Sequence, residues 1–360
     1  MSVFIFDHSI SFIVVNYNSG ELLQRTVASI LNSSYPASKI EVIIVDNASK
    51  DNSVELLQSM LNARSHTFNN LIMIRNEQNE GWCRAINKGL TKASGDVVVF
   101  SNHDVIYSEN SISTVVAQLM SRKDVGICQF NSLSPSGEPD VAAAYLDPLG
   151  YAYSFLTLEP TLVSFGEAVA IAIKKEVFKK IGRLDEDYFI EYEDQDFCWR
   201  ALLYGFKVLF IPDAVVQHYR GSVEKADFFA RRHRGYLYTR NHICTLIKNL
   251  EIANLFYYLP QVLLIESCKA AYILVVKRNP GFAWQIFKGI LAPLSLLPSL
   301  LEKRKKIQKN RTIPDRVVLK SFVPFMPMHQ INFIRYQKMG KRYVLNNEVL
   351  LQVLANRSAS

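Results

Sequence analysis

Between Tyr188 and Arg200 the chain reads YFIEYEDQDFCWR, which sets Glu191, Glu193, Asp194 and Asp196 among aromatic side chains. Carboxylates in such apolar company must be paired, solvated or used, because burying a lone charge is costly. The spacing predicts a helix opening at Glu193: Phe197, Ala201 and Leu202 recur on one face, and Gly205 supplies a left-handed stop. Glu193 and Asp194 then occupy the helix N-terminus, where the macrodipole favours the ionised form. A carboxylate fixed there and partly withdrawn from water can take the proton of a hydroxyl group as that group attacks an electrophile. Ordinary helix capping accounts for the same residues without any chemistry, so the rest of the chain has to decide.

The elements that would position these groups alternate. Ser11–Val15 reads as a strand that stops at Asn16-Tyr17-Asn18, followed by a helix with Leu23, Val27, Ile30 and Leu31 on one face. Glu41–Val45 is a second strand, ending at Asp46-Asn47, and Asp51 or Ser53 opens a helix that turns Val54, Leu57, Met60 and Leu61 inward. A strand from Leu71 to Ile74, a loop from Arg75 to Gly81 and a helix through Ala85, Ile86 and Leu90 come next. Val97–Phe100 is a fully apolar strand closed by Ser101-Asn102-His103-Asp104. This order predicts a mostly parallel sheet covered by helices on both faces. Ligands of such sheets bind beyond the carboxyl ends of the strands, and Asn16, Asn18, Asp46, Asn47, Arg75, Asn79, Asn102 and Asp104 all collect there. Turn preference explains any one of these residues better than the set. No glycine-rich phosphate loop follows the first strand, which argues against a dinucleotide-binding or P-loop domain. After a less regular region around 131–165, the pattern gives a strand over Ala168–Ile173, a helix over Lys175–Ile181, the acidic stretch, and a strand over Phe206–Ile211 ended by Pro212, with His218 a few residues on.

With 360 residues and 49% hydrophobic composition the chain can bury a large core plus an appendage. Cys83, Cys128, Cys198, Cys244 and Cys268 show no zinc-binding spacing, and the first residues lack the pattern of a signal peptide, so a cytoplasmic location is expected. The net charge of +8 has to be located before it can be interpreted. Beyond Asp227, Asn254–Val276 and Phe282–Leu301 are long apolar segments, interrupted by Pro260, Glu266 and Lys269 and by Lys288, Pro293 and Pro298. Neither is a clean span of roughly twenty apolar residues. Both read as helices lying in a membrane interface, with Tyr257, Tyr258, Phe282 and Trp284 at headgroup level and the run EKRKKIQKNR (302–311) attracted to anionic lipid. The positive charge is thereby assigned to a membrane surface and not to nucleic acid; a helical subdomain packed on the rest of the chain is the simpler alternative.

The segments SFIVVNYNSGELLQRTVASI, VIIVDNASKDNSVELL, RNEQNEGWCRAINKGL, GDVVVFSNHDV, IGRLDEDYFIEYEDQDFCWRALLYGFKVLFIP and VVQHYRGSV occur in this order over residues 11–223. Together they resemble the inverting glycosyltransferases of family two, and within them the rhamnosyltransferase-like branch. The resemblance implies the GT-A nucleotide-diphospho-sugar transferase fold and transfer of one sugar, with inversion, from a dTDP- or UDP-sugar such as dTDP-rhamnose to a glycan or lipid-linked acceptor. By the same resemblance Asn16, Asn18 and Asp46 hold the nucleoside, Arg75 and Asn79 line its pocket, and Asp194 is the general base supported by Glu193 and Asp196. Asn102-His103-Asp104 falls where the family keeps an Asp-x-Asp motif, so Asp104 and His218 are the expected ligands of a Mg or Mn ion. Asn102 contributes at most a neutral oxygen, and Arg220 and Ser222 are placed to meet phosphate. The expected organisation is a catalytic domain over 1–227, an amphipathic membrane-associating region over 228–311 and a tail over 312–360, in a peripheral protein on the inner face of the cell membrane. The missing first carboxylate at Asn102 prompts a rival reading, a non-catalytic carbohydrate- or nucleotide-sugar-binding scaffold.

Overall fold

The computed structural model describes residues 7–63, 70–220, 228–327 and 344–345. In chain order the strands are β1 (Ile10–Asn16), β2 (Ile40–Asp46), β3 (Leu71–Arg75), β4 (Val97–Asn102), β5 (Val105–Tyr107), β6 (Val125–Leu133), β7 (Pro139–Val141), β8 (Ala143–Leu146), β9 (Ala152–Phe155), β10 (Thr161–Val163), β11 (Ala170–Lys174) and β12 (Lys207–His218). The helices are α1 (Leu22–Leu31), α2 (Ser53–Ala63), α3 (Trp82–Leu90), α4 (Ser111–Ser121), α5 (Lys175–Ile181), α6 (Glu193–Leu203), α7 (Phe228–Asn249), α8 (Ile252–Val275), α9 (Pro280–Ser295), α10 (Leu297–Asn310) and α11 (Asp315–Val318).

The main sheet runs β10-β12-β6-β11-β4-β1-β2-β3. β4, β1, β2 and β3 are parallel, whereas β11 lies antiparallel between β4 and β6, so the second half is mixed. β1 is apolar at nearly every position because both faces are covered: Ile13 and Val15 join a core with α3 and α6, and Phe12 and Val14 join one with α1 and α4. Register fixes the edge that matters here. Asn16 pairs with Asp46, Asp46 with Arg75, and Val15 with Asn102, which lines these residues up at the carboxyl ends of four adjacent strands.

Two sequence expectations are corrected. Pro212 does not end a strand; β12 runs on to His218 and absorbs the proline in a bulge between Ile211 and Val215, a position where a missing amide donor costs no ladder bond. The stretch from 131 to 165 is not irregular but carries the end of β6 and the short strands β7 to β10, which are too brief to show a period.

The C-terminal helices pack against the part of the chain that carries the main sheet. Lys248 on α7 has a side chain 1% exposed, and its Nζ lies 2.6 Å from Asp185 and 2.9 Å from Asp196, over the Tyr188 ring. Burial would raise both carboxyl pKa values, but the charge of Lys248 holds each below the usual range. Lys248→Met removes the cation shared by two buried carboxylates and leaves Asp185 to Lys303 and Asp196 to Arg200, a change expected to cost about 3 kcal/mol, the lower end for a broken buried pair. Thermal unfolding at neutral pH should show a Tm lower by roughly 5–10 °C. The deficit should shrink towards acid pH, where both carboxyls protonate and the depressed-pKa contribution of the native protein is lost; an unchanged Tm would sink the assignment.

Candidate active site

The first group of residues sits at the ends of β1 to β3. Asn16 is fully buried, and its amide nitrogen donates to Asp46 Oδ1 at 2.8 Å, Ser53 Oγ at 2.9 Å and Ser49 Oγ at 3.0 Å. Its Oδ1 accepts from Ser19 at 2.5 Å. The Asn16 amide is engaged inside the protein, where it orients the Asp46 carboxylate. Asn18 adopts a left-handed φ of 50° and its Oδ1 accepts from the Lys50 amide at 2.7 Å. Arg75 is exposed at the end of β3. Asn79 accepts from the amide of Gly81 at 2.9 Å, and Gly81 is required where it stands: at φ 84° a Cβ would lie 2.6 Å from the Phe189 ring. Trp82 N–H donates to Phe189 O at 2.8 Å, which ties this loop to the acidic stretch.

A second group forms around Asp104. β5 pairs with β12 so that His218 stands opposite Val105, beside Asp104, and Tyr219 N–H donates to Asp104 O at 2.9 Å. His218 Nε2 lies 3.2 Å from Asp104 Oδ1, while Nδ1 meets Asp140 Oδ2 at 2.7 Å. Burial would lower the His218 pKa, but Asp104 and Asp140 push it up to about 9; His218 in turn outweighs the burial of Asp104 and pulls that carboxyl to about 2. Arg220 also binds Asp140, at 2.5 Å, with its own side chain 45% exposed. Asp140 was not among the residues the sequence singled out; it lies on three-residue β7, where no periodic or motif signal marks it. Ser222 lies outside the described residues.

This pair fits a divalent cation. Two ligand atoms bonded to one ion at about 2.1 Å and near a right angle stand about 3 Å apart, close to the 3.2 Å between His218 Nε2 and Asp104 Oδ1. Asp140 on the opposite ring nitrogen fixes the tautomer that presents Nε2. Among the described residues no group of three or more His, Cys, Asp and Glu side chains could hold a metal, so further ligands would have to come from a bound diphosphate or water. Asn102 ends β4, half-buried.

The third group is the acidic stretch. α6 opens at Glu193, as its spacing predicts, and Gly205 follows it at φ 88°. Asp194 is half-buried; its Oδ1 accepts from the Gln195 amide at 2.8 Å and its Oδ2 from the Ala168 amide at 3.1 Å. Burial and the neighbouring Glu167 raise its pKa to about 7 against those two amide bonds. Glu193 is raised well above the usual range by burial and by Asp194, and its Oε2 is buried without a hydrogen bond. Asp196 is turned away from this pair: its carboxylate binds Arg200 at 2.9 Å, Asn249 at 3.1 Å and Lys248, so its support is structural. The second and third groups are stitched together by one short segment, for Ala168 bonds Asp194 while Val169 O accepts from the Asn102 amide at 3.1 Å.

Residues 11–182 match the family model described as Glycosyl transferase family 2. That stretch of the chain is thus similar to the glycosyltransferase domain of family 2. The Glycosyltransferase GlyG of Streptococcus pneumoniae is 26% identical over 61% of this chain and 74% of its own length. The poly-beta-1,6-N-acetyl-D-glucosamine synthase of Staphylococcus epidermidis is 23% identical over 57% of this chain, which spans only about half (48%) of that enzyme. Among solved structures, the mannosyltransferase PcManGT of Pyrobaculum calidifontis, in complex with GDP-Man and Mn2+, superposes with a TM-score of 0.52 at 18% identity, over 81% of this chain and 87% of that one. The fold is accordingly of the GT-A type, and enzymes of family 2 are inverting. The family match ends before Asp194 and His218, so their places in the glycosyltransferase site rest on geometry.

What aims Asp194 is largely α7. Glu191 and Tyr192, just ahead of Glu193, both have left-handed φ, 73° and 68°. Asn241 Nδ2 donates to Ile190 O at 3.0 Å and Glu191 O at 2.7 Å, and the Tyr192 ring stacks on His242 at 4.8 Å. Asn241→Ala should lower kcat by tenfold or more while leaving donor affinity near normal, since it loosens the reversal without touching the nucleotide side; equal kcat in both proteins would remove Asn241 from that role. For the metal pair, Asp140→Asn should weaken Mn affinity by about 10–100-fold, read by titration calorimetry with a nucleoside diphosphate present. Unchanged affinity would mean that Asp140 does not orient a ligand.

Proposed function

We propose that the protein moves one sugar from a nucleoside diphosphate donor to an acceptor hydroxyl with inversion, Asp194 acting as the general base. The observation that carries this is the state of Asp194: a half-buried carboxylate at a helix N-terminus, fixed by two main-chain amides, with a pKa pushed up to about 7. Such a group takes a proton near neutral pH far better than an ordinary carboxylate. The acceptor oxygen bonds to the anomeric carbon as its proton passes to Asp194, and the bond from that carbon to the diphosphate oxygen breaks on the opposite face, which inverts the centre. Glu193, kept protonated by burial and by Asp194, adds no second charge beside the base. Asp104 and His218 would hold a Mg or Mn ion, which would neutralise charge on the departing diphosphate. Asp46, oriented by Asn16, faces the nucleoside together with Arg75 and Asn79.

The donor we would test first is dTDP-rhamnose, with UDP-sugars next, because the motif order resembles the rhamnosyltransferase-like branch. A lipid-linked or polysaccharide acceptor at the cytoplasmic face of the membrane is supported by the exposed apolar helices and by the similarity to a poly-beta-1,6-N-acetyl-D-glucosamine synthase. The neutral Asn102 favours one second reading, a scaffold that binds a nucleotide sugar without turnover; hydrolysis or transfer by purified protein would exclude it.

Asp194→Asn should cut transfer about a hundredfold or more and leave donor binding, measured by calorimetry, near normal. The native rate should rise with pH through about 7 and level off above it, because the base works only when deprotonated and its pKa is raised. Glu167→Gln removes a like charge and should move that limb to lower pH. Comparable turnover in Asp194→Asn would return the acidic stretch to helix capping.

A further inference from the structure

α8 is long and apolar enough to cross a membrane, and α9 with α10 passes the same test only as a pair bent by 69°. The buried side of α8 is a stripe through Leu255, Val262 and Glu266. Its other side leaves Phe256 75%, Leu264 65% and Val275 71% exposed, and α9, packed against it, leaves Trp284 57% and Leu294 68% exposed. Large apolar side chains exposed together on adjoining helices are uncommon on a freely soluble surface. Charge identifies the occupant. Between Ile252 and Asn310 the exposed charged side chains are Lys277, Arg278, Lys288, Lys305, Lys306 and Lys309 against Glu302 alone. Lys303, Arg304 and Arg311, which the sequence placed in the same basic run, are turned inward onto Asp185 and Asp187, the Ile247 and Leu250 carbonyls, and Asp315.

We infer that the outward face of α8 and α9, with the exposed lysines of α10, docks the protein on an anionic lipid bilayer, α8 lying in the plane of the interface and not across it. The in-plane orientation follows from Glu266. It is buried at mid-helix and accepts from Tyr151 OH at 3.1 Å and Thr239 Oγ1 at 3.3 Å, with Lys269 at 3.3 Å. A helix held to the catalytic domain at its midpoint by a carboxylate cannot be ringed by hydrocarbon there, where every polar group needs a protein partner. An apolar stripe of aromatic and aliphatic residues bordered by lysines has the composition of an interfacial helix. This inference rests on the membrane-side placement proposed above but not on the transfer chemistry, so the two can fail separately.

The protein carries its own probes. Of its cysteines Cys268 alone is exposed and the other four are buried, while Trp284 is the exposed tryptophan of α9. A polarity-sensitive thiol fluorophore on Cys268, and on single cysteines placed by Phe256→Cys and Val275→Cys in a Cys268→Ser background, reports the depth of α8 at its middle and near both ends. With phosphatidylglycerol–phosphatidylcholine vesicles we expect all three labels and Trp284 to shift to the blue and to be quenched equally, most strongly by lipids brominated near the headgroup end of their chains. Pure phosphatidylcholine should bind far less. Replacing Lys305, Lys306 and Lys309 by Gln should lower affinity for the anionic vesicles by roughly a hundredfold at low salt, high salt should do the same to the native protein, and activity on a soluble acceptor analogue should be unchanged in that variant. A Cys268 label markedly deeper than the two end labels would overturn the inference in favour of a spanning helix. So would Trp284 already shielded in a lipid-free dimer seen by light scattering, which would assign the face to a second copy of the chain, and so would failure to bind anionic vesicles at all.

Discussion

The reactive centre depends on a chain reversal that the local sequence does not favour. Two consecutive non-glycine residues, Glu191 and Tyr192, hold left-handed φ values immediately before α6, at a cost of order 1–3 kcal/mol each. The reversal persists because it is over-determined from outside: one amide of Asn241 caps two successive carbonyls, His242 stacks on the Tyr192 ring, and Tyr192 OH donates to Gly150 O at 3.0 Å. Relaxing either residue to an extended or right-handed conformation would swing the first turn of α6 and take Asp194 away from the Ala168 amide. Strain at this point is thus part of how the carboxylate is aimed, and the anchors lie on a helix some fifty residues later in the chain.

That arrangement also explains which features could be read from the sequence. Strands β1 to β4, helix α5 and the start of α6 were legible because each is declared locally, by an apolar run, a helical period or a terminal glycine. The polar residues at the strand ends were legible as a set for the same reason, since register then places Asn16, Asp46 and Arg75 side by side. What could not be read depends on partners distant in sequence. Asp140 matters through a hydrogen bond to His218 across 78 positions, and nothing around it in the chain announces that. The inward amide of Asn16 is set by Ser49 and Ser53 beyond β2, so its direction depends on residues outside its own strand.

The charge of the chain shows the same separation between composition and surface. A run of basic residues at 302–311 reads as one polybasic patch, yet helical geometry divides it. Lys303 and Arg304 fall on the face of α10 that meets the catalytic domain, where Lys303 reaches Asp185 and Asp187 at 2.5 Å. Lys305, Lys306 and Lys309 fall on the other. Lys303 therefore fastens α10 to the loop that precedes α6, Arg304 ties it to the end of α7, and the three outward lysines are left for solvent or lipid. Asp185 is the common point of this fastening, bound by Lys248 from α7 and by Lys303 from α10.

Charge also bears on the neutral Asn102. In the proposed arrangement the ion meets one carboxylate, Asp104, and the imidazole of His218; the second carboxylate in reach, Asp140, is displaced to the far ring nitrogen and offset by Arg220. A second aspartate at position 102 would tighten a cation through Coulomb attraction but would also repel the diphosphate that must share it. With an amide at position 102, Asp104 and His218 would leave an ion more of its positive charge for phosphate oxygens, and they would hold it more firmly with the nucleotide present. Metal and donor would then bind more tightly together than apart, which is how Asp104 and His218 could serve without a second carboxylate at position 102.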